Sequence, residues 1–367
     1  MSRKLKKTML YLFIIIAVLA LGIYVFMQTP PFGQNPEGAR LERVRKSPNY
    51  KEGAFRNQHF TPDLAEGVTY WKILMAYFAK VENKEPNKPL PSVKTNLKKI
   101  SSDKPVIVWF GHSSYLLHIE GKTILVDPVF SGHASPVSFF GTNYPGSNVY
   151  SVDDFPDLDV LIITHDHYDH LDYETVKKLQ PKVKKVITSL GVGSHLVRWG
   201  YTENQIAELD WSEKTSVDSL EFTAAPARHF SGRGFKRGQT IWSSFILKTP
   251  HNNIYIGGDS GYDTHFKEIG EQYGPFDLAI LECGQYNEFW KYIHMMPEET
   301  AQAAVELKAK VLLPVHWAKF TLGLHPWTEP IERVVKKSKE LNQAITTPMI
   351  GEQVEVGGIV PVREWWK

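Results

Sequence analysis

The chain has 367 residues, with 42 Lys and Arg against 40 Asp and Glu and a formal net charge of +2. That balance provides no electrostatic footprint for nucleic acid and no acidic tail. A single cysteine, Cys283, excludes an intrachain disulfide and any thiolate-dominated metal site, and its ordinary role is that of a small buried hydrophobe.

Thr8 to Met27 is apolar without a charge, and about 20 such residues match the hydrocarbon core of a bilayer. Arg3, Lys4, Lys6 and Lys7 precede it. The expectation is a basic cytoplasmic flank over 1–7, a single-pass anchor in the cell membrane over 8–27, and a remainder placed outside. A cleaved signal peptide would have a shorter apolar region and an A-x-A-like site, which is missing before Gln28-Thr29-Pro30-Pro31.

Residues 28–104 are polar and punctuated by Pro30, Pro31, Pro36, Pro48, Pro62, Pro86, Pro89 and Pro91. This predicts an extended linker and N-terminal extension that packs on the main body with little regular structure. Within it, Val68 to Phe78 is apolar and aromatic. It reads as a short helix, either docked on the body or resting in the membrane interface.

From residue 105 to 367 short β-rich runs alternate with turns. Val106–Phe110, Tyr115–Ile119 and Lys122–Val126 read as strands, with Glu120-Gly121 as a hairpin turn between the last two. Val160–Thr164 is a continuous apolar run of buried-strand type. Lys185–Thr188, Ser219–Ala224, Ser243–Lys248, Asn253–Gly257, Leu278–Leu281 and Lys310–Val315 complete the set. Helical patterns lie at Tyr173–Leu179, Pro297–Lys310 and Pro330–Leu341, with a weak one at Asn204-Gln205-Ile206. Pro297 suits a first helical position, Glu298 and Glu299 suit a first turn, and Asp172 suits the cap of the helix after it. Two packed sheets with helices outside fit this order.

The polar residues fall where those strands end. The hexad His165-Asp166-His167-Tyr168-Asp169-His170 follows Val160–Thr164 directly. Three imidazoles and two carboxylates in six residues would be costly to bury without partners, and a bound metal turns that cost into coordination. His229, Asp259 and His316 each follow another strand. Ligands on loops at one edge of a sheet pair can converge.

The hexad fits H-x-H-x-D-H, and here the chain resembles the metallo-β-lactamase fold superfamily. More narrowly, it is similar to the N-acyl-phosphatidylethanolamine-hydrolysing phospholipase D family and its bacterial relatives. The resembling stretches are Trp109-Phe110-Gly111-His112-Ser113-Ser114, Asp127-Pro128-Val129-Phe130-Ser131, Thr164 to Asp172, Pro226-Ala227-Arg228-His229, Gly257 to Tyr262 and Pro314-Val315-His316-Trp317. Ser47-Pro48-Asn49-Tyr50 and Phe55-Arg56-Asn57 also match. The resemblance implies an α/β, four-layer αββα sandwich and two metals. His165, His167 and His229 would hold the first, Asp169, His170 and His316 the second, and Asp259 would bridge them. A shared carboxylate keeps two cations about 3.5–4 Å apart. Histidine and carboxylate without thiolate suit Zn²⁺, with Mn²⁺ or Fe also compatible.

By resemblance the reaction is hydrolysis of a phosphodiester in a small-molecule or lipid substrate, such as an N-acylated phospholipid, by a metal-bridging hydroxide. Lactone, lactam or other ester and amide hydrolysis is the enzymatic alternative, and a non-catalytic metal-stabilised binding protein is the third. Asp259 is thus both ligand and catalytic residue. His294, before the helix at Pro297, resembles a family histidine near the metals that would protonate a leaving oxygen or bind phosphate. His112 is either structural or catalytic. Asp127 resembles a residue supporting the ligand loops, and Asp166 and Tyr168 are expected to point away from the metals. Trp290, Tyr286, Trp317, Phe320 and Trp327 wall an apolar pocket or fill core. His59, His118, His133, His195, His251, His265 and His325 are read as non-ligands. The sequence carries no signal for oligomeric state.

Overall fold

The computed structural model describes residues 2–367. Helix α1 spans Arg3–Met27, and no residue of it is buried by protein. Among the described residues it is the one helix long and apolar enough to cross a membrane. Its 25 residues reach about 37 Å, more than a bilayer core.

The extension after α1 is more regular than its prolines suggest. It contains α2 (Gly38–Lys46), a hairpin of β1 (Tyr50–Lys51) and β2 (Ala54–Phe55), and α3 (Tyr70–Phe78). Tertiary contacts override the local signal here. Val44, Tyr50 and Phe55 pack with Trp211, Ile241 and Trp242 in a small separate core. Arg40 reaches Glu208 at 2.7 Å, and the other oxygen of Glu208 accepts from Gly191 N at 2.8 Å and Gly193 N at 2.9 Å.

The body is built on β3 (Val106–Trp109), β4 (Tyr115–Ile119), β5 (Lys122–Val126), β6 (Leu158–Ile163), α4 (Tyr173–Leu179), β7 (Val183–Ser189), α5 (Gly193–Arg198), β8 (Ile206–Leu209), β9 (Lys214–Val217), β10 (Leu220–Ala225), β11 (Ser244–Lys248), β12 (Asn253–Ile256), α6 (His265–Gln272), β13 (Leu278–Glu282), α7 (Pro297–Glu306), β14 (Leu312–Val315), α8 (Glu329–Glu340) and β15 (Gln353–Glu355). A seven-stranded sheet runs β15-β3-β4-β5-β6-β7-β8, and a six-stranded sheet runs β14-β13-β12-β11-β10-β9. The expected Glu120-Gly121 turn joins β4 to β5, with both residues at positive φ (50° and 68°), as a two-residue hairpin of primed type requires.

Strand alternation sorts the apolar residues into layers. Ile124 and Val126 of β5, with Val160 and Ile162 of β6, face the core shared by the sheets. Leu125, Leu161 and Ile163 face the other way, onto Val176 and Leu179 of α4 and Leu196 of α5. Phe266 of α6, Ala301 of α7 and Ile331 of α8 close the far side of the six-stranded sheet. The expected αββα sandwich is therefore present, and within the body α5 and α6 are the helices the sequence did not announce.

Topology then brings the polar loops together. β5 and β6 are parallel, and β3 runs with them because two antiparallel pairings separate β3 from β5. By the same logic β10 runs with β12, β13 and β14. All these strands deliver their C-terminal ends to one edge. The two sheets are joined there, where His112 N donates to Trp317 O at 2.8 Å and His316 N donates to His112 O at 2.9 Å.

Candidate metal centre

At this edge the loops after β6, β10, β12 and β14 place the expected side chains in one buried cluster. Nε2 of His165 lies 3.0 Å and Nε2 of His229 3.2 Å from Nδ1 of His167. Asp259 Oδ2 lies 3.2 Å from His170 Nε2, 3.9 Å from His165 Nε2 and 3.8 Å from His229 Nε2, and its Oδ1 lies 3.3 Å from His316 Nδ1. Asp259 thus stands between two groups, His165–His167–His229 and Asp169–His170–His316 with His112.

The donor set fits cations. His170 Nε2 and Asp259 Oδ1 are buried polar atoms without a hydrogen-bond partner. Such orphans are costly unless something positive meets them. Burial holds the imidazoles of His165, His229 and His316 well below their ordinary pKa, so they offer lone pairs. Burial would raise the Asp259 carboxyl, but His170 and His316 outweigh it and hold the group well below the usual carboxylate range. On His170 burial opposes a charge, yet Asp259 and Asp169 draw a proton onto it, placing positive charge where a metal would supply it.

Outer contacts orient these groups, as metal-binding histidines generally require. Asp127 Oδ2 accepts from His170 Nδ1 at 2.8 Å, while Thr164 N and Oγ1 donate to the same carboxylate at 2.9 and 2.6 Å. His229 Nδ1 donates to Ile293 O at 2.8 Å. Ser113 Oγ lies 2.9 Å from His316 Nδ1. His112 Nε2 lies 2.8 Å from Asp169 Oδ2 and so orients that carboxylate. Asp127, His112 and His316 all sit at positive φ (41°, 52° and 69°), strained backbone gathered at the site. Asp166 points away, accepting from Gly232 N at 2.7 Å and Thr240 Oγ1 at 2.9 Å, and Tyr168 donates to Arg233 O at 2.7 Å. Asp172 caps α4 through Glu174 N at 3.1 Å.

His294 rings the same cluster, stacked on His316 with centroids 5.3 Å apart, and its Nδ1 meets Glu282 Oε2 at 2.9 Å. Glu282 Oε1 accepts from Ser260 N at 3.0 Å and Met295 N at 3.2 Å, tying the Asp259 loop to the His294 loop. Burial opposes a charge on His294, but the Glu282 carboxylate raises its pKa above the ordinary value. The sequence reading missed Glu282, whose one signal is a carboxylate ending the apolar strand Leu278–Leu281. It also missed the role of Asn57, whose side chain accepts from His229 N at 3.0 Å and donates to His229 O at 2.8 Å.

A cavity of about 350 Å³ opens onto His167, Asp169, Asp259 and His294. Of the expected wall residues only Trp290 lines it. Trp317 stacks between Trp109 and Trp365, Phe320 is fully buried against His112, Tyr286 is buried with its OH on Glu329 at 2.6 Å, and Trp327 packs on Tyr144. Core packing claims these rings. The apolar wall comes instead from Tyr70, Ile73 and Tyr77 of α3, with Phe230 and Leu322. His325 accepts from Gln285 N at 2.9 Å, outside the cluster.

Residues 122–317 match the family model described as a beta-lactamase superfamily domain. An uncharacterized protein of Mycobacterium tuberculosis is 36% identical over 363 residues, 96% of each chain. N-acyl-phosphatidylethanolamine-hydrolyzing phospholipase D 1 of Caenorhabditis elegans is 32% identical over 250 residues, 64% of this chain and 69% of that one. A metallo hydrolase of the archaeon Ignicoccus hospitalis has a similar fold, with a TM-score of 0.53 at 21% identity over 68% of this chain and 97% of its own. The chain belongs to the beta-lactamase superfamily as a metal-dependent hydrolase, with N-acyl-phosphatidylethanolamine-hydrolysing phospholipases D among its homologues.

Proposed function

We propose that the protein is a membrane-anchored phosphodiesterase of phospholipase D type, acting on N-acyl-phosphatidylethanolamine-like lipids at a two-metal centre. The observation that carries this reading is the convergence of His165, His167, Asp169, His170, His229, Asp259 and His316 around orphaned buried atoms, beside a cavity with an apolar wall. His165, His167 and His229 would hold one Zn²⁺, Asp169, His170 and His316 the other, with Asp259 shared. When bound, such cations lower the pKa of water and offset charge on a reacting phosphoryl group.

The remaining chemistry falls to the chain. His294 keeps Nδ1 on Glu282, which leaves Nε2 to face the cavity, and its raised pKa favours the protonated form. It is placed to give that proton to the leaving oxygen as the phosphorus–oxygen bond breaks. Arg237 borders the same cavity, its guanidinium 4.6 Å from the Phe230 ring, and supplies a cation for an anionic substrate. In this reading α1 crosses the cell membrane with residues 1–7 cytoplasmic, and residues 105–367 form the catalytic domain outside, with 28–104 packed against it.

Side-by-side turnover of a phosphodiester reporter, an N-acylated phospholipid, a lactone and a lactam, each with and without added Zn²⁺, tests this. Metal-dependent hydrolysis of the phosphodiesters is expected. Turnover of only the lactone or lactam would refute it, and a metal-replete protein inert to all four would favour a binding role.

A further inference from the structure

The segment after α1 does not leave the helix as a free linker. Arg198 donates to Gln28 O and Gly33 O, both at 2.7 Å, and Trp199 Nε1 donates to Pro30 O at 2.9 Å. Gln34 N meets His195 Nδ1 at 2.9 Å, and His195 Nε2 lies 3.3 Å from Asp166 of the hexad. Gly33 sits at φ +66°, where a Cβ would come within 2.0 Å of His195. The buried Arg233 donates to Pro31 O at 2.9 Å on one side, and to Asp166 O at 2.7 Å and Leu171 O at 2.8 Å on the other. The end of α1 is therefore fixed to the loop that carries the hexad.

This fixation leaves a cleft of about 700 Å³ between the last two turns of α1 and the Gly232–Arg237 loop. Ile23, Phe26 and Met27 line it from α1, Phe235 from the loop, and its inner end reaches His167 and Asp169. An aromatic series runs the same way: Phe26 meets Phe32 edge-on at 5.1 Å, and Phe32 meets Tyr168 at 6.1 Å. Phe235 is 85% exposed, a costly position in water for a phenyl ring beside an apolar helix. No residue of α1 is buried by protein, so in a bilayer the cleft opens sideways at the depth where the helix leaves the hydrocarbon.

We propose that this cleft is a hydrocarbon-chain site: a substrate still resident in the bilayer lays an acyl chain along Ile23, Phe26 and Phe235, so that the anchor itself forms one wall of the route to His167 and Asp169. The inference rests on the phosphodiesterase reading for what happens at the end of the route, but not for the route.

The test uses the full chain in phosphatidylcholine vesicles containing a phospholipid with a diazirine on its acyl chain, followed by peptide mass spectrometry. Adducts on Phe235 as well as on Ile23 or Phe26 are expected, and Phe235→Asp should remove those on the α1 side of the cleft. Adducts confined to α1, with none on the Gly232–Arg237 loop, would overturn the proposal. In parallel, Phe235→Ser is expected to raise the apparent KM for a long-chain vesicle substrate about tenfold while leaving a short-chain soluble substrate of the same head group unchanged. An equal effect on both chain lengths, or on neither, would refute the cleft. Absence of turnover on both substrates by the wild type would count against the phosphodiesterase reading, while the adducts still decide the cleft.

Discussion

Asp127 holds His170, one of the proposed ligands of the second metal, and Asp127→Asn isolates its contribution. One carboxylate oxygen accepts from Thr164 N, and an amide oxygen in that place still would. The other accepts from His170 Nδ1 at 2.8 Å. Once a cation displaces the second proton, a carboxylate there keeps the remaining His170 proton on Nδ1 and leaves the Nε2 lone pair for the cation beside Asp259. An amide NH₂ in its place donates, which drives the proton to Nε2 and removes the lone pair from the metal side. Loss of such a contact typically costs 10–100-fold in metal affinity, about 1.4–2.7 kcal/mol. The side chain is nearly isosteric, so the fold should persist. Competition titration against a chelator, with thermal unfolding as the control for folding, measures this. A folded Asp127→Asn protein with wild-type affinity for both metals would refute the tautomer argument.

Other predictions follow from single contacts. His294→Ala should lower turnover at least 100-fold with metal content intact by elemental analysis, whereas loss of metal would make His294 a ligand. Asn57→Ala removes both hydrogen bonds that hold the His229 backbone, and should weaken one metal selectively in the same titration. Arg233→Met leaves buried carbonyls of Asp166 and Leu171 unpaired and should cost about 3–5 kcal/mol in denaturant unfolding. Burial lowers the pKa of Lys319 from 10.5 to about 7. Between those values the unfolded chain holds a proton that the folded one lacks, so stability gains from this group as pH rises through that window. Lys319→Met should therefore be more stable than the wild type by up to about 5 kcal/mol below pH 7, with the difference vanishing near pH 10.5; a pH-independent difference would refute this.

The strands and the candidate ligands were legible because each candidate follows closely on an apolar run, and a run of that kind leaves few alternatives to a buried strand. His229, Asp259 and His316 could be placed at one edge before any contact was known, since strand ends share an edge once the connections are parallel. What the sequence did not display were residues whose meaning is purely tertiary. Glu282 looks like any residue after a strand until Ser260, His294 and Met295 gather on it. Asn57 acts on a residue 172 positions away. Rings near a ligand in sequence, Trp317 and Phe320, turn into the core, and the cavity wall comes from α3, far earlier in the chain. The prolines of the extension hid α2 and the β1–β2 hairpin, because those elements are stabilised by contacts to the body such as Arg40 to Glu208 rather than by local propensity.

The central claim is that water attacks phosphorus at the Asp259 centre. Hydrolysis of N-acyl-phosphatidylethanolamine vesicles by the Zn²⁺-loaded full chain in ¹⁸O-water, with mass spectrometry of the products, tests it directly. The account predicts one ¹⁸O in the phosphatidate and none in the N-acylethanolamine. Label in a released fatty acid instead would place the attack on a carbonyl carbon and contradict it.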